Sequence, residues 1–381
     1  MRTNKFNLIN DMQNTMKYKV LIIFTAVIIF SGCRKIFNVP DEKDYLSTKA
    51  DYLTKVFEPT LGRTTLYTRI FNPDNSTAPM KFEMVNVRWG DGRDATDLLT
   101  KKQTWVWTGE YTGMETSIAE IEAKRKLEEH PIVELRPSGD LIVWASATSD
   151  VLKPRDSAEV FPQDLRYFDV KISNSGGSRI ITGLSINPSI EVPYETDDSP
   201  GDINRYNGLP NTTTPNGNVL VRNHPNINGM IGEGTDKNLT ANDGANGVVN
   251  TYIRRVSGGS GNTIRFKFLD NDSTIIDPNK FNETKWEFLV HGFNMEKTRE
   301  YVKFDVAYPI PLARVPTRYT LGGVNNFVGG DIAHVEFSYS RIGFGGRREV
   351  GTLSENFRIF EKGDWEVVFH FTNVNPKFAN E

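Results

Sequence analysis

The sequence predicts a mainly β protein: two antiparallel β-sandwich-like domains, one short helix in the first domain, and a long polar loop between the domains. Three observations lead to this prediction. Apolar and polar residues alternate in short runs along most of the chain. Gly, Pro, Asn and Asp lie between those runs, as is typical of connections between strands. Only one stretch has the composition of a helix.

Length and composition limit the protein class. The chain has 381 residues, which predicts two or three domains at roughly 100–200 residues each. It is 38% hydrophobic and 24% charged, which argues against a fully disordered chain and against a multi-span membrane protein. The net charge is −3, so no basic surface for nucleic acid is indicated and no nucleic-acid partner is expected.

The N-terminus has the pattern of an export signal. Met16–Lys19 is basic, Val20–Phe30 is almost wholly apolar, and the small residues Ser31-Gly32 precede Cys33. The apolar run is too short to span a bilayer, which needs about 20 residues. We therefore predict a signal peptide over residues 1–32, with Met16 as the true start.

Residues 30–33 resemble the bacterial lipobox, in which the cysteine is lipidated and becomes the first residue of the mature protein. Cys33 is the single cysteine of the chain. Disulfides within one chain, cysteine-ligated zinc and a cysteine nucleophile are therefore excluded. Because stable anchoring needs more than one acyl chain, lipidated Cys33 would hold the protein firmly on membrane lipid. An anchor of this kind is the lipid partner that we predict.

Four segments are predicted downstream of the signal. Residues 33–60 read as the lipidated cysteine and a tether, and residues 61–193 as the first β-sandwich-like domain. Residues 194–250 are rich in Asn, Gly, Pro, Thr and Asp and bury too little apolar surface to offset their ordering, so they are predicted to form a polar loop or linker. Residues 251–381 read as the second β-rich domain.

Each domain has recognisable elements. In the first, residues 81–87, 104–108, 141–144 and 168–172 are strand-like, and residues 174–177 read as a hairpin turn. The helix is predicted over Thr116–Glu129, with capping-box spacing at Ser117 and Glu120. In the second domain we predict strands with one dry face and one wet face over residues 264–268, 335–339 and 365–371, and a hairpin rather than a nucleotide loop at residues 343–348.

The sequence contains few residue patterns that are typical of a catalytic or metal site. The five histidines have no shared metal-ligand spacing, and no serine-hydrolase elbow occurs. Asp270, Asp272 and Thr274 match the start of a calcium loop, but Ile275 stands where that loop needs glycine. The acids at 197, 198 and 202 are most simply solvated loop residues, with weak calcium binding as the alternative. We therefore predict no catalytic residue, no metal site and no cofactor.

Aromatic residues are the remaining hint of a binding site. Trp105 and Trp107 share one face of their strand, which is more often a core pattern, although flat rings also stack on sugars. Trp89 leads into a Gly/Asp/Arg turn that carries Asp91 and Arg93, the kind of loop tip that presents binding residues. These five residues are the candidate ligand-binding set.

Several motifs together resemble the Bacteroidota lipoprotein family called domain of unknown function 5007. They lie at residues 40–44, 116–126, 173–177, 291–295, 305–312, 316–320 and 375–378. The resemblance covers essentially the whole mature chain. It implies an exported outer-membrane lipoprotein, facing the periplasm or the cell surface, often encoded beside SusC/SusD-type glycan-import pairs. It transfers no catalytic residue.

Three functions are compatible with these observations. The first is a non-catalytic accessory protein that captures glycan or another nutrient. The second is a structural protein, adhesin or assembly partner of an outer-membrane transporter complex such as a SusC/SusD pair. The third, ranked last, is a glycan-active enzyme.

Metabolic labelling with radioactive palmitate tests the predicted anchor. We expect label on the full-length chain and none on a Cys33→Ser variant, because the thiol is the attachment point. An unlabelled wild-type chain, or its recovery as free cytosolic protein, would contradict the prediction.

Overall fold

Short strands make up most of the structure, a computed structural model that describes residues 44–155, 161–196, 224–243, 247–259, 261–323 and 329–381. The predicted fold class is confirmed: the fold is mainly β, with several antiparallel sheets. The predicted signal peptide, Cys33 and the acids at 197, 198 and 202 lie outside the described residues. Among the residues described, no helix has the length and apolar character needed to cross a membrane.

The described part of the N-terminal half contributes eleven strands and one short α-helix. They are β1 (Asp51–Tyr52), β2 (Val56–Phe57), β3 (Thr65–Tyr67), β4 (Phe71–Asn72), β5 (Lys81–Trp89), β6 (Lys101–Trp107), α1 (Ile118–Glu122), β7 (Arg125–Pro131), β8 (Val133–Leu135), β9 (Leu141–Val143), β10 (Arg166–Asn174) and β11 (Gly177–Ile186).

The described C-terminal half contributes ten strands. They are β12 (Tyr194–Thr196), β13 (Asn226–Asn228), β14 (Asn242–Asp243), β15 (Gly247–Arg255), β16 (Thr263–Leu269), β17 (Gly292–Lys297), β18 (Val302–Val306), β19 (Ala333–Ile342), β20 (Arg348–Ile359) and β21 (Asp364–Phe371). Short 3₁₀ turns lie at Thr96–Leu99, Pro162–Asp164, Pro278–Lys280, Trp286–Phe288 and Phe344–Gly346.

The first unit packs the sheet β2-β11-β10-β5 near the smaller sheet β3-β9-β8. Its core includes Phe57 and Phe168, whose side chains are fully buried. The predicted hairpin at residues 174–177 is confirmed, since Asn174 pairs with Gly177 across a two-residue turn. The predicted tether, residues 33–60, extends too far toward the C-terminus. Ala50, Tyr52 and Phe57 belong to the core of the first unit, and β2 pairs with β11 at the edge of the sheet.

The predicted helix Thr116–Glu129 is mostly wrong. Its start is correct, because Ser117 Oγ accepts the Glu120 N–H at 3.1 Å. The helix ends at Glu122, and Arg125–Pro131 instead forms β7, paired along its whole length with β6. Strand pairing therefore overrides the helix propensity of this stretch.

The second unit is a two-sheet sandwich. One sheet has the order β14-β15-β21-β16-β18-β17, and the other joins β12, β13 and β19 to β20. Phenylalanine rings fill the space between them. Phe337 lies 4.9 Å from Phe268 and 5.2 Å from Phe369, both close to edge-to-face geometry, which is favourable for aromatic pairs.

The predicted alternation is confirmed for β16 and β19. The predicted alternation is wrong for β21. One face of this strand is expected to be exposed to solvent, but Glu366 and Val368 on that face are also buried. This strand is central in its sheet and pairs in parallel with β16 and antiparallel with β15. The hairpin at residues 343–348 is confirmed, because Ile342 pairs with Arg348.

Strands also occupy described parts of the range 194–250, for which a polar loop is expected. β12 and β13 both pair with β20, and Tyr194 packs against Trp365. The sheet of the second unit thus accepts short polar segments as edge strands, because ladder hydrogen bonds need no apolar side chains.

We expect Glu366→Gln to destabilise the fold. The carboxylate is 1% exposed and meets Arg254, Arg265 and Lys267. Burial alone would raise its pKa, but the hydrogen bonds from Arg254 and Lys267 outweigh burial and lower it. Removing the charge should cost about 2 kcal/mol at pH 7, because three cations lose their partner.

Urea unfolding at several pH values measures this effect. Because the folded pKa lies below the unfolded value of about 4.3, the stabilisation is present above that pH and is lost as pH falls through the folded pKa. The wild-type and variant curves should therefore converge in acid. Glu336→Gln, an exposed change on β19, is the matched control. Equal stability of Glu366→Gln and wild type at pH 7 would contradict the expectation.

Candidate functional site

A cleft of about 1470 Å³ lies between the two units. One wall comes from β3, β6, β7 and β9 of the first unit. The other comes from the segment that follows β18 and from the residues that end β20. The cleft is large enough for several sugar rings or an equivalent length of extended chain, since drug-sized ligands occupy about 300–1,000 Å³.

Two of the predicted tryptophans line this cleft. Trp105 is 49% exposed, so the core interpretation of its strand face is wrong for this residue. Trp107 is partly buried and packs beside Tyr111, with 5.6 Å between ring centroids. The Arg125 guanidinium lies 4.8 Å from the Trp105 ring centroid and donates to the Tyr308 carbonyl at 2.8 Å. This cation–π contact supports one side of the exposed ring.

A third tryptophan lies in the same cleft. Trp144 follows β9, and its Nε1–H donates to Glu134 Oε2 at 3.1 Å. The same carboxylate oxygen lies 2.9 Å from Nδ1 of His130, whose ring is 5.0 Å from that of Trp144. Burial disfavours the charged imidazole, but hydrogen bonds to Glu128 and Glu134 outweigh burial and raise the pKa of His130. The indole is thereby held in a defined orientation.

One arginine–carboxylate pair spans the two units at the cleft, and another lies beside it within the second unit. Arg63 donates to both Glu195 carboxylate oxygens, at 3.0 and 2.6 Å, and its guanidinium lies 4.0 Å from the Phe360 ring centroid. Arg358 donates to Asp331 at 3.0 Å and lies 3.9 Å from Glu195. Bidentate pairs of this kind fix geometry as well as charge.

A small hydrophobic cluster, the bridging cluster, holds the two walls together. It consists of Tyr111 and Ile121 of the first unit and Ala307 and Leu312 of the second. Beside it, His291 Nε2–H donates to the Glu115 carbonyl at 2.8 Å. His291 Nδ1 then accepts the Tyr111 hydroxyl at 2.7 Å, consistent with a burial-lowered pKa of this histidine.

Glu115 strengthens the same junction. Its side chain is fully buried and accepts from Lys124 Nζ and from the N–H and hydroxyl of Thr112. Burial alone would raise its pKa, yet these hydrogen bonds lower it to about 2. The carboxylate is thus held ionised and ties the loop that precedes α1 to Lys124, while the backbone carbonyl of Glu115 bonds His291 of the second unit.

The other predicted residues lie elsewhere. Trp89, Asp91 and Arg93 are not among the residues that line the cleft. The Trp89 ring is covered by the buried guanidinium of Arg166, 4.0 Å from its centroid. Arg93 Nε donates to Asp91 at 2.6 Å, and this hydrogen bond lowers the pKa of Asp91. A Cβ at Gly90 would lie 1.8 Å from the Pro162 carbonyl oxygen, so the turn needs glycine at that position.

Several residues that line the cleft are not predicted from the sequence, namely Arg63, Arg125, Trp144, Tyr308 and Phe360. They are separated by up to roughly three hundred positions and share no local motif. The alternation pattern places Trp144 in a strand and does not indicate that its ring lines a cleft. Among the motifs of the family resemblance, the segment 305–312 overlaps with the far wall.

The cleft carboxylates are all engaged. Glu122 pairs with Arg125, Glu134 with His130, Glu195 with Arg63, and Asp331 with Arg358. Among the residues described, no group of three or more His, Cys, Asp or Glu side chains could hold a metal ion. The charged side chains that line the cleft are therefore held largely by contacts within the protein.

Comparison with known proteins gives one match. The family described as domain of unknown function (DUF5007) matches residues 71–380, most of the chain. No curated protein and no solved structure matches the chain significantly.

The pKa values of His130 and His291 should be shifted in opposite directions from the ordinary value of a histidine. We expect an NMR pKa above about 6.5 for His130 and below that value for His291. Stability from charged His130 is present below about pH 6.5 and is lost as pH rises through its folded pKa. Glu134→Gln should lower the pKa of His130 and leave that of His291 unchanged. An unshifted His130 in this variant would contradict the assigned contact.

Proposed function

The chain belongs to the DUF5007 family, and we propose that it is a non-catalytic accessory protein that captures glycan in the cleft between its two units. The observation that carries the proposal is the placement of three tryptophans, Trp105, Trp107 and Trp144, along one cleft. Trp105 is the most accessible of them, at 49% exposure.

The chemistry of the lining suits carbohydrate. Flat aromatic faces stack on the apolar faces of sugar rings, and amides and hydroxyls bond the sugar hydroxyls. Polar groups of this type line the same cleft, including Gln103, Thr64, Ser146 and Asn262. The aromatic side chains are positioned by ion pairs and by the bridging cluster, so little ordering remains to oppose binding.

We further propose that lipidated Cys33 anchors the protein to the outer membrane, on its periplasmic or cell-surface side, beside a SusC/SusD-type complex. The lipobox-like sequence and the single cysteine support the anchor. An anchored binding protein would raise the local concentration of glycan near a transporter.

An assembly role is the second candidate, and one surface favours it. Phe344, at the turn between β19 and β20, is 89% exposed, and Ile342 and Val350 beside it are 40% and 42% exposed. Apolar side chains grouped in this way are typical of contact sites. If this role is correct, a transporter should co-purify without glycan, and Phe344→Ser should abolish its capture.

A glycan-active enzyme is the third candidate. Product release by the purified protein, lost in Glu134→Gln, would establish it. We expect no turnover, because each cleft carboxylate already has a hydrogen-bonded or ionic partner.

Substitution of Trp105 by alanine tests the glycan proposal. Array screening of the soluble wild-type protein first identifies a glycan that binds. We expect the affinity of Trp105→Ala for that glycan to be about tenfold lower than that of the wild type, because a stacking surface is lost. Titration calorimetry measures the change, and thermal unfolding confirms that the variant is folded.

Phe344→Ala is the matched control, because it removes an exposed ring that does not line the cleft. Its affinity should equal that of the wild type. Absence of binding to any glycan on a broad array would refute the proposal. Equal losses of glycan affinity in Trp105→Ala and Phe344→Ala would show that the binding site lies outside the cleft.

A further inference from the structure

The cleft is more basic than the protein around it. Six basic side chains line it against four acidic ones, whereas the whole chain has 45 Lys and Arg against 48 Asp and Glu. The basic set is Arg63, Arg125, Arg136, Arg314, Arg358 and Lys362. The cleft therefore has a net positive charge, whereas the whole chain has a net negative charge. The electrostatic field of a positive cleft favours an anionic ligand.

Half of these cations are already neutralised. Arg63, Arg125 and Arg358 each pair with a carboxylate of the cleft. Their side chains are 20%, 7% and 24% exposed. They serve to position the walls and the aromatic rings, and they contribute little free charge to a ligand.

The other three cations are Arg136, Arg314 and Lys362. All three are exposed, and none has a side-chain hydrogen bond or ion pair within the part of the chain that the structure describes. They come from separate places: the turn between β8 and β9, the segment after Leu312, and the turn between β20 and β21. The fold therefore brings three unpaired cations from distant sequence positions to the cleft that also holds the tryptophans.

We infer that the glycan is an anionic polysaccharide carrying carboxylate or sulfate groups; the inference rests on the proposed glycan binding. Arg136, Arg314 and Lys362 are the residues that meet its charges. Arginine guanidinium groups form paired hydrogen bonds with planar carboxylates and with the oxygens of sulfate, and lysine adds a point charge. The tryptophans stack on the sugar rings, so ring and charge recognition occur in one cleft.

Matched ligand pairs test this inference on the soluble protein. Oligogalacturonate is compared with its fully methyl-esterified form, and dextran sulfate with dextran, so that the backbone stays constant while the charge changes. We expect at least one anionic member to bind at least about tenfold more tightly than its neutral partner, since several charge-assisted contacts are lost. Its affinity should fall as NaCl is raised. Comparison of the two pairs distinguishes carboxylate from sulfate recognition.

A triple variant localises the effect. Arg136→Gln/Arg314→Gln/Lys362→Gln should bind the anionic ligand at least about tenfold more weakly. The control Lys285→Gln/Arg299→Gln/Arg347→Gln removes three exposed cations that do not line the cleft, and it should bind like the wild type. Thermal unfolding of both variants checks that each is folded.

The outcomes separate this inference from the proposed function. Equal binding of anionic and neutral members, or equal losses in the two triple variants, would overturn the anionic class while leaving glycan capture intact. No binding to any carbohydrate, charged or neutral, would remove both.

Discussion

The contact between the β6–β7 region and the segment after β18 is the constraint on which the cleft depends. Tyr111 and Ile121 pack against Ala307 and Leu312, and Arg125 donates to the carbonyl of Tyr308. The single cysteine excludes a disulfide within the chain. Apolar burial, hydrogen bonds and an ion pair therefore hold the described parts of the two units together across the cleft.

Charge reinforces this contact from both sides. Glu115 stays ionised while fully buried because Lys124 and Thr112 bond it, and the His291 imidazole donates to its carbonyl. On the open side, the Arg63–Glu195 pair joins the two units. Partly buried, bidentate pairs contribute more to geometry than exposed ion pairs do. The cleft walls are thus held in place by contacts within the protein.

Some features of the candidate site can be predicted from the sequence, and others cannot. Trp105 and Trp107 could be placed on one strand face from their spacing, but their exposure depends on what packs over that face. Trp105 is 49% exposed, and the guanidinium of Arg125 on the neighbouring strand covers one side of its ring. Trp89 has a comparable local context, yet buried Arg166 covers its ring. The two environments differ through residues twenty or more positions away.

The secondary structure shows the same division. The capping bond between Ser117 and Glu120 follows from local sequence, whereas the strand over Arg125–Pro131 forms because β6 offers it a partner. Likewise, alternation predicts β16 correctly but not β21, whose second face is covered because it lies centrally in its sheet. Arg136, Arg314 and Lys362 lie far apart in the sequence, and only the fold brings them to the same cleft.

Local periodicity and turn chemistry determined by themselves that this chain is a β protein, where several of its longer strands run and where two of its hairpins turn. Those properties depend on neighbouring residues, which a linear sequence displays directly. Tertiary structure alone decided which strand faces are buried, how the two units meet and which aromatic and basic side chains share a cleft. Those properties depend on contacts between residues far apart in the chain, and no spacing within the sequence encodes them.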